Sequence, residues 1–279
     1  MPRKPLSAKM KSVGAQLRGC RESVGLLLRE AAVLVEWDKS KLSRVENGER
    51  TINPEEAAHL LGVYRIRAQV REEILRVVRT LDEPGWWGQG QQDLEGLPKE
   101  TSVLADYESE ASRLSNWEPL MVPGLLQTME YARAFLLGTG ADPAGTDLRL
   151  AARFRRQQIL NSGVKYVAFL GESALHTPVG DSALMARQLA WIKQTATRPN
   201  VLVRVVPTQV GPHGGQRGPF TVLEFPDAQP VVMAELLRSS VFIDEARQIA
   251  PYLETLMHLV SVALSETDSA RLISRLAHM

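Results

Sequence analysis

Two short helices joined by a tight turn near the N-terminus constrain the fold of this chain most strongly. The first begins near Leu27 and has small residues in its middle, which allow a neighbouring helix to cross closely. Asp38 can cap the second, the segment Lys39 to Glu46 supplies barely two turns, and Asn47-Gly48 supplies a left-handed stop. Short helix, tight turn and short capped helix form the helix-turn-helix layout.

Helices on both sides of this layout complete an all-α module. Upstream, apolar residues recur at spacings of 4, 3 and 4 and therefore share one helix face, which ends at Gly25: Val13, Leu17, Cys20 and Val24. Cys20 lies on this apolar face and is therefore interpreted as a core residue. Because it is the only cysteine, no internal disulfide is possible. Downstream, Pro54 begins a helix through Leu61, and Gln69 to Leu81 reads as another.

Four polar residues form one face of the second short helix, opposite Leu42 and Val45: Lys39, Ser40, Ser43 and Arg44. In a recognition helix such a face meets the major groove, where arginine and lysine reach guanine acceptors and serine takes several partners. Lys41 at the flank and Arg50 in the following loop are placed for phosphate. The pattern predicts binding to double-stranded DNA; the alternative is a solvated charged face.

The charge distribution supports this assignment. The formal net charge is only +1, but residues 1–50 contain 11 basic and 6 acidic side chains, whereas residues 101–279 contain 16 and 17. A basic module attached to a neutral remainder is expected when one end meets a polyanion and the other has another role.

Residues 14–48 resemble the helix-turn-helix domain of the xenobiotic-response-element, or phage-repressor-like, family. The resemblance rests on Arg21-Glu22, Ala32, Asp38, Leu42-Ser43, Val45-Glu46 and Gly48. It implies base contacts by Lys39, Ser40 and Arg44, and base or phosphate contacts by Lys41 and Ser43. The family often has glycine where this chain has Glu36, which suggests a different turn geometry. It often has glutamine where Leu28 stands, which puts one phosphate contact in doubt.

The remainder is predicted to be a second, larger domain. A segment rich in Gly, Pro and Gln separates a helix-turn-helix domain of residues 1–82 from a domain of residues 101–279, with residues 83–100 as the linker. Trp86-Trp87 in the linker is interpreted as an anchor onto the next domain, or alternatively as an exposed partner- or ligand-binding pair.

The second domain reads as α+β with a mostly antiparallel sheet beside helices. Residues 101–162 look helical, KYVAFLG is a strand candidate, and Ser182 to Ala196 is a helix. Four more β-rich runs follow, VLVRVVP, PFTVLEF, PVVMAEL and SSVFID, and then a long helix from Glu245 to Leu264 and a short one to His278. The chain as a whole is thus an all-α helix-turn-helix domain followed by a larger α+β domain.

No catalytic or metal-binding motif was found, so a non-enzymatic protein without cofactor or metal is predicted. The loop GPHGGQRGP lacks the Lys-Ser/Thr and following helix of a phosphate loop and is expected to be a flexible hairpin connection. His213 within it is interpreted as a solvated residue, or alternatively as a ligand contact. The absence of a long apolar run or signal-peptide core predicts a cytoplasmic protein with no membrane partner.

Two helices of the second domain carry further patterns. Arg149, Arg153, Arg155 and Arg156 are expected to form a solvated basic face, with contact to DNA or a partner as the alternative. The long helix has an apolar stripe, expected to face the core and alternatively to form a dimer contact: Ile249, Leu253, Leu256, Val260 and Ala263.

The second half also resembles a known family, from about Pro84 to Ile273. The stretches PGWW, YESEA, WEPLMVPGLLQTMEYAR, GESAL, GPFTVLEF and VVMAE are similar to the C-terminal domain of actinobacterial regulators described as antitoxin-like. The genes of such regulators often lie beside one for a small protein of unknown function. The resemblance implies a transcription factor whose C-terminal domain binds a small protein partner or another signal, and it implies no catalytic residue.

Three functions remain open at the level of sequence. The leading one is a sequence-specific regulator, a repressor, that acts as a homodimer on paired half-sites. The second is an antitoxin-like protein whose main act is to hold a small toxin-like partner. The third is a one-component sensor with a small-molecule pocket lined by Tyr107, Trp117 and residues of the sheet.

Overall fold

The computed structural model describes residues 8–79, 81, 99–226, 228–237 and 239–278. These residues divide into two compact units, the first with the helices before residue 82 and the second beginning at Lys99. Most of the predicted linker, including Trp86-Trp87, lies outside the described residues, and its boundaries stay a prediction. No helix in the described ranges is long and apolar enough to cross a membrane.

The first unit is all helical, as predicted. Its helices are α1 (Ala8–Ser23), α2 (Leu28–Leu34), α3 (Lys39–Glu46), α4 (Pro54–Val63) and α5 (Ala68–Arg79). Val13 and Leu17 of α1 are buried with Leu42 and Val45 of α3, while Cys20 is partly buried against the same core. The Asp38 carboxylate accepts a hydrogen bond from the Lys41 backbone N–H (2.7 Å) and caps α3 as expected.

Two glycines let α1 approach the C-terminal end of α3. Gly48 has φ 68°, the left-handed conformation predicted for the stop, and ends α3 with a hydrogen bond to the Val45 carbonyl. A Cβ at Gly14 would lie 2.6 Å from the carbonyl oxygen of Val45, and one at Gly48 would lie 2.8 Å from the Cα of Lys11. The backbones therefore meet where a side chain would not fit.

The second unit contains a six-stranded mixed sheet in the order β3-β2-β1-β4-β5-β6. Its strands are β1 (Arg113–Glu118), β2 (Lys165–Gly171), β3 (Val201–Val206), β4 (Phe220–Glu224), β5 (Val231–Glu235) and β6 (Ser240–Ile243). β1 pairs in parallel with β2, and β2 with β3, whereas the other three pairings are antiparallel. The α+β prediction is confirmed, with antiparallel pairings in the majority.

Helices flank this sheet and connect its parallel strands. They are α6 (Lys99–Glu110), α7 (Met129–Gly138), α8 (Pro143–Gln157), α9 (Glu172–His176), α10 (Ser182–Thr195), α11 (Ala246–Val262) and α12 (Glu266–Leu276). α7 and α8 lie between β1 and β2 in the chain, and α9 and α10 lie between β2 and β3. Parallel neighbours need such long crossovers, whereas β4, β5 and β6 follow one another by short turns.

Two sequence expectations for this unit are corrected. Residues 113–118 are not helical but form the central strand β1, and all of them except Arg113 are buried. Because β1 is covered on both faces, it lacks the polar–apolar alternation that identifies a half-exposed strand. The loop Gly211 to Pro219 is not a hairpin either, since it joins β3 to β4, and β2 and β1 lie between them.

The two faces of the sheet differ in chemistry. The apolar face packs against Ile249 and Leu259 of α11 and against Ala263, which follows it. Its residues include Trp117, Val167, Phe169, Phe220, Val222 and Val232. The predicted core-facing stripe of α11 is therefore confirmed in part, because Val260 is 45% exposed and Leu259 is buried in its place. The polar face lies on the α8 side of the sheet and includes Asn116, Glu118, Tyr166 and Thr221.

Candidate nucleic-acid interface

The outer face of α3 presents the predicted DNA-contact residues to solvent. Lys39, Ser40 and Arg44 are exposed and Ser43 is partly exposed, whereas Leu42 and Val45 on the opposite side are buried. Within the described residues, the side chains of this face make one hydrogen bond, and it is local, from Arg44 Nε to the Ser40 carbonyl oxygen at 3.3 Å. This contact is long and within the helix, so the guanidinium keeps donors for a base edge or a phosphate.

Lys41 has a different environment from the other predicted contact residues. Its Nζ lies 2.7 Å from Glu56 Oε1 of α4 and 3.8 Å from the centre of the Trp37 ring. Burial alone would raise the pKa of Glu56, but the hydrogen bonds from Lys41 and the Asn53 backbone lower it. The charge of Lys41 thus joins α3 to α4, while Arg50 lies exposed in the loop after α3.

The turn between α2 and α3 keeps a left-handed residue without a glycine. Glu36 has φ 56°, the conformation that glycine adopts with no steric penalty, so a residue with a Cβ bears the steric cost of this turn. Leu28, at the start of α2, packs against the core of the unit. It therefore contributes apolar packing at the position where the family often has a polar residue.

A buried ion pair fixes the C-terminal end of α3 to α1. Arg21 donates from Nε to Glu46 Oε1 (2.7 Å) and from Nη2 to Glu46 Oε2 (2.9 Å), and its Nη1 donates to the Leu26 carbonyl oxygen (2.8 Å). Arg18 adds hydrogen bonds to the Glu46 carbonyl and to the Asn47 side chain. Cations at a helix C-terminus also complement its dipole. Two residues quoted for the family resemblance, Arg21 and Glu46, thus orient the recognition helix.

Comparisons with protein families agree with this geometry. A helix-turn-helix domain model matches residues 12–74, which contain α2, the turn and α3. A model described as a domain of unknown function, DUF5753, matches residues 101–275, more than half of the 279 residues. The chain belongs to the DUF5753 family. No curated protein and no solved structure matches it. The protein is a DNA-binding regulator of the helix-turn-helix type that carries a C-terminal DUF5753 domain.

The DUF5753 domain brings together two of the three predicted ligand-contact residues. Trp117 and His213 meet edge to face with ring centres 5.6 Å apart, and Trp117 Nε1 donates to the Gly215 carbonyl oxygen at 2.7 Å. His213 is partly buried rather than a freely solvated loop residue, and burial and the neighbouring His258 lower its pKa. Tyr107 lies in a separate cluster with Phe225 and Phe242.

Two arginines of α8 contact residues of neighbouring elements, and these contacts were not predicted from the sequence. Arg156 forms a bidentate pair with Glu108 (2.8 and 2.6 Å), and Arg153 donates to the Gln127 side chain. The solvated basic face expected for α8 is therefore wrong for these two residues, although Arg149 is exposed. Arg153 and Arg156 are three residues apart and so share a helix face, a signal that was present in the sequence.

Tyr107 and Trp117 do not line the small cavity at the polar face. Residues next to them in sequence line this cavity: Glu108, Asn116 and Glu118. Successive residues of a strand point to opposite faces of a sheet, so Trp117 faces α11 while Asn116 and Glu118 face α8.

Proposed function

We propose that this regulator recognises a specific DNA sequence through α3. Lys39, Ser40 and Arg44 read base edges, while Ser43 and Arg50 contact the backbone. The observation that carries this proposal is the exposed polar face of a short helix whose other face is buried and whose C-terminal end is fixed by Arg21. Lys41 reaches a phosphate only by leaving Glu56, so its contribution is smaller than that of Arg44.

The regulator is proposed to act as a homodimer that represses by occupying paired half-sites. One helix of eight residues offers few base contacts, and two modules are needed for useful affinity over nonspecific DNA. We place the protein in the cytoplasm. Genome-wide mapping of the DNA sites that it binds in the producing cell tests this model. A shared motif with two half-sites about one helical turn apart is expected, whereas unrelated bound sequences would argue against sequence recognition.

Variants of the recognition helix test the role of each side chain. Arg44→Ala is expected to weaken binding to the mapped site by about 1–3 kcal/mol and leave binding to random DNA nearly intact. Arg71→Ala removes the same charge from an exposed position of α5 and is the matched control. Fluorescence anisotropy at two salt concentrations separates base contacts from phosphate contacts. Equal losses on both DNAs would contradict base recognition by Arg44.

A second candidate function is binding of a small, partly apolar protein by the DUF5753 domain. The resemblance to antitoxin-like regulators supports it, and so does the exposed apolar tip of the β5–β6 hairpin, where Leu236 and Leu237 are 60% and 100% exposed. Such a protein acts by binding rather than by catalysis.

Co-purification tests the small protein partner. The small protein encoded beside this gene is co-expressed with the wild type and with the variant Leu236→Ser/Leu237→Ser. A stoichiometric complex that only the wild type forms is expected. Leu120→Ser, a change at another exposed leucine of the same domain, is the control. Failure of the wild type to form a complex would remove this candidate.

A further inference from the structure

The polar face of the sheet and α8 enclose a small cavity in the DUF5753 domain. Its volume is about 70 Å³, and charged and amide side chains line much of it: Glu108, Asn116, Glu118, Gln127, Arg153 and Tyr166. Asn116 and Glu118 are 8% and 4% exposed, so these groups are held inside the domain rather than at its surface. A polar space of this size has room for a ligand of about five or six non-hydrogen atoms, at roughly 10–15 Å³ for each water-sized group.

One ion pair at the cavity is already complete. Both oxygens of Glu108 accept hydrogen bonds from Arg156, so neither charge needs a further partner. Tyr166 donates to Asn116 Oδ1 at 3.2 Å, and Asn116 Nδ2 donates to Thr221 Oγ1 at 3.0 Å. These contacts fix the walls of the cavity, which is therefore preorganised.

Arg153 and Glu118, in contrast, face the cavity without forming an ion pair. Arg153 donates to the neutral Gln127 side chain, and within the described part of the chain no carboxylate oxygen lies within 4.0 Å of its nitrogens. Burial and the nearby Arg156 lower the pKa of Arg153 to about 10, so it stays charged at neutral pH. Burial and the carboxylate of Glu235 raise the pKa of Glu118 well above its ordinary value.

A partly buried cation with unused donors is costly unless an anion meets it. Glu235 is the other carboxylate near Arg153; it also lines the cavity, and it is partly exposed. Arg153 therefore provides a fork of N–H donors for an anion. The Glu118 carboxyl group, the Asn116 side-chain oxygen and the Tyr166 hydroxyl provide hydrogen-bonding groups on the opposite wall.

We propose that this cavity binds a small monocarboxylate that also carries a hydroxyl or ammonium group. The carboxylate meets Arg153, and the hydroxyl or ammonium group meets Glu118 and Asn116. A guanidinium pairs with a carboxylate through two parallel hydrogen bonds, and the size of the cavity limits the ligand to the smallest hydroxy acids and amino acids. The site lies wholly within the DUF5753 domain and does not depend on DNA binding by the first unit.

Calorimetric titration of the full chain with sodium glycolate, glycine and sodium acetate tests the proposal. Glycolate or glycine is expected to bind with a stoichiometry of one and to raise the melting temperature in a concentration-dependent way. Acetate lacks the second group and is expected to bind at least about 10-fold more weakly, because it leaves buried polar groups unpaired. Absence of binding by both glycolate and glycine, or equal binding of acetate, would overturn the assignment.

Three variants locate the site. Arg153→Met is expected to weaken binding by about 10- to 100-fold, the loss of charged hydrogen bonds, while Arg149→Met, an exposed change on the same helix, should bind like the wild type. Glu118→Gln keeps the size of the side chain and is expected to reduce the preference over acetate. It tests the site even if Arg153→Met fails to fold. Unchanged binding by both Arg153→Met and Glu118→Gln would contradict a binding site here.

Discussion

Both units bury an arginine–glutamate pair, but the charged residues beside the two pairs are arranged differently. In the first unit Arg21 and Glu46 make two hydrogen bonds to each other, and Arg21 also donates to the Leu26 carbonyl oxygen and to the exposed Glu22 carboxylate (3.3 Å). In the DUF5753 domain the pair of Arg156 and Glu108 lies beside Arg153 and Glu118, which form no ion pair with each other. The first pair fixes the recognition helix α3 to α1, whereas the second pair lies in the wall of a cavity.

Removing one partner of the Arg21–Glu46 pair is expected to have the largest effect on stability. Arg21→Met leaves Glu46 buried with weaker compensation and should reduce the stability of the first unit by about 3–5 kcal/mol. Hydrogen–deuterium exchange of peptides from α1 to α3 measures the loss. Arg29→Met removes an exposed arginine of α2 and should change little.

The double variant Arg21→Met/Glu46→Leu extends this test. Because it removes both charges, it is expected to recover most of the lost stability. A double variant that is no more stable than Arg21→Met would show that the loss of stability does not come from the uncompensated charge of Glu46.

The contact between α1 and α3 gives the next largest effect. Gly14→Ala places a Cβ against the carbonyl oxygens of Val45 and Glu46, at 2.6 and 2.7 Å, and is expected to cost about 1–3 kcal/mol and to weaken DNA binding. Gly19→Ala on the same helix meets no atom within 4 Å and should stabilise α1 by up to about 1 kcal/mol. Urea denaturation of both variants checks the difference, and equal effects would contradict the close approach.

Removing the charge of Glu118, which forms no ion pair with Arg153, is expected to stabilise the folded protein, whereas removing the charge of Arg21 destabilises it. The pKa of Glu118 is raised in the folded state, so its contribution to stability is complete below its ordinary pKa of 4.5 and falls as the pH rises toward the folded-state value. The slope is at most about 1.4 kcal/mol per pH unit. Glu118→Gln removes this dependence and should be more stable than the wild type at pH 7.

Urea titrations at pH 5, 6 and 7 measure the difference between Glu118→Gln and the wild type. Glu130→Gln, an exposed change in α7, is the control and should follow the wild type. A difference that does not grow between pH 5 and 7 would show that Glu118 ionises normally in the folded protein.

The smallest expected effect concerns the turn before the recognition helix. Glu36→Gly removes the steric cost of φ 56°, and this gain is partly offset by the greater freedom of glycine in the unfolded chain. A net stabilisation of about 0.5 kcal/mol is expected in thermal denaturation. Glu36→Ala keeps the Cβ and should give no gain, so a similar gain from alanine would assign the effect to charge instead.

Local signals predicted the first unit well. The cap at Asp38, the stop at Gly48 and the apolar spacing of α1 are features of short segments, and the structure contains each of them. The assignment of Lys41 to phosphate stays a prediction. Its contact with Glu56 could not be predicted from local sequence, because Glu56 is 15 residues away and the pairing depends on how α4 packs. Strands of the DUF5753 domain with β-branched runs were also predicted, but β1 was not, since its burial on both faces hides the strand pattern.

The sequence by itself determined a helix-turn-helix with an outward polar face, because capping, glycine conformation and helical periodicity act over a few residues. Only the tertiary structure decided what the charges of the DUF5753 domain do. Glu108, Asn116, Glu118 and Arg153 lie on three different elements, and the burial of each depends on the packing of α8 over the sheet. Whether a charged residue faces water or a cavity is a property of that packing, and residue type and local spacing do not encode it.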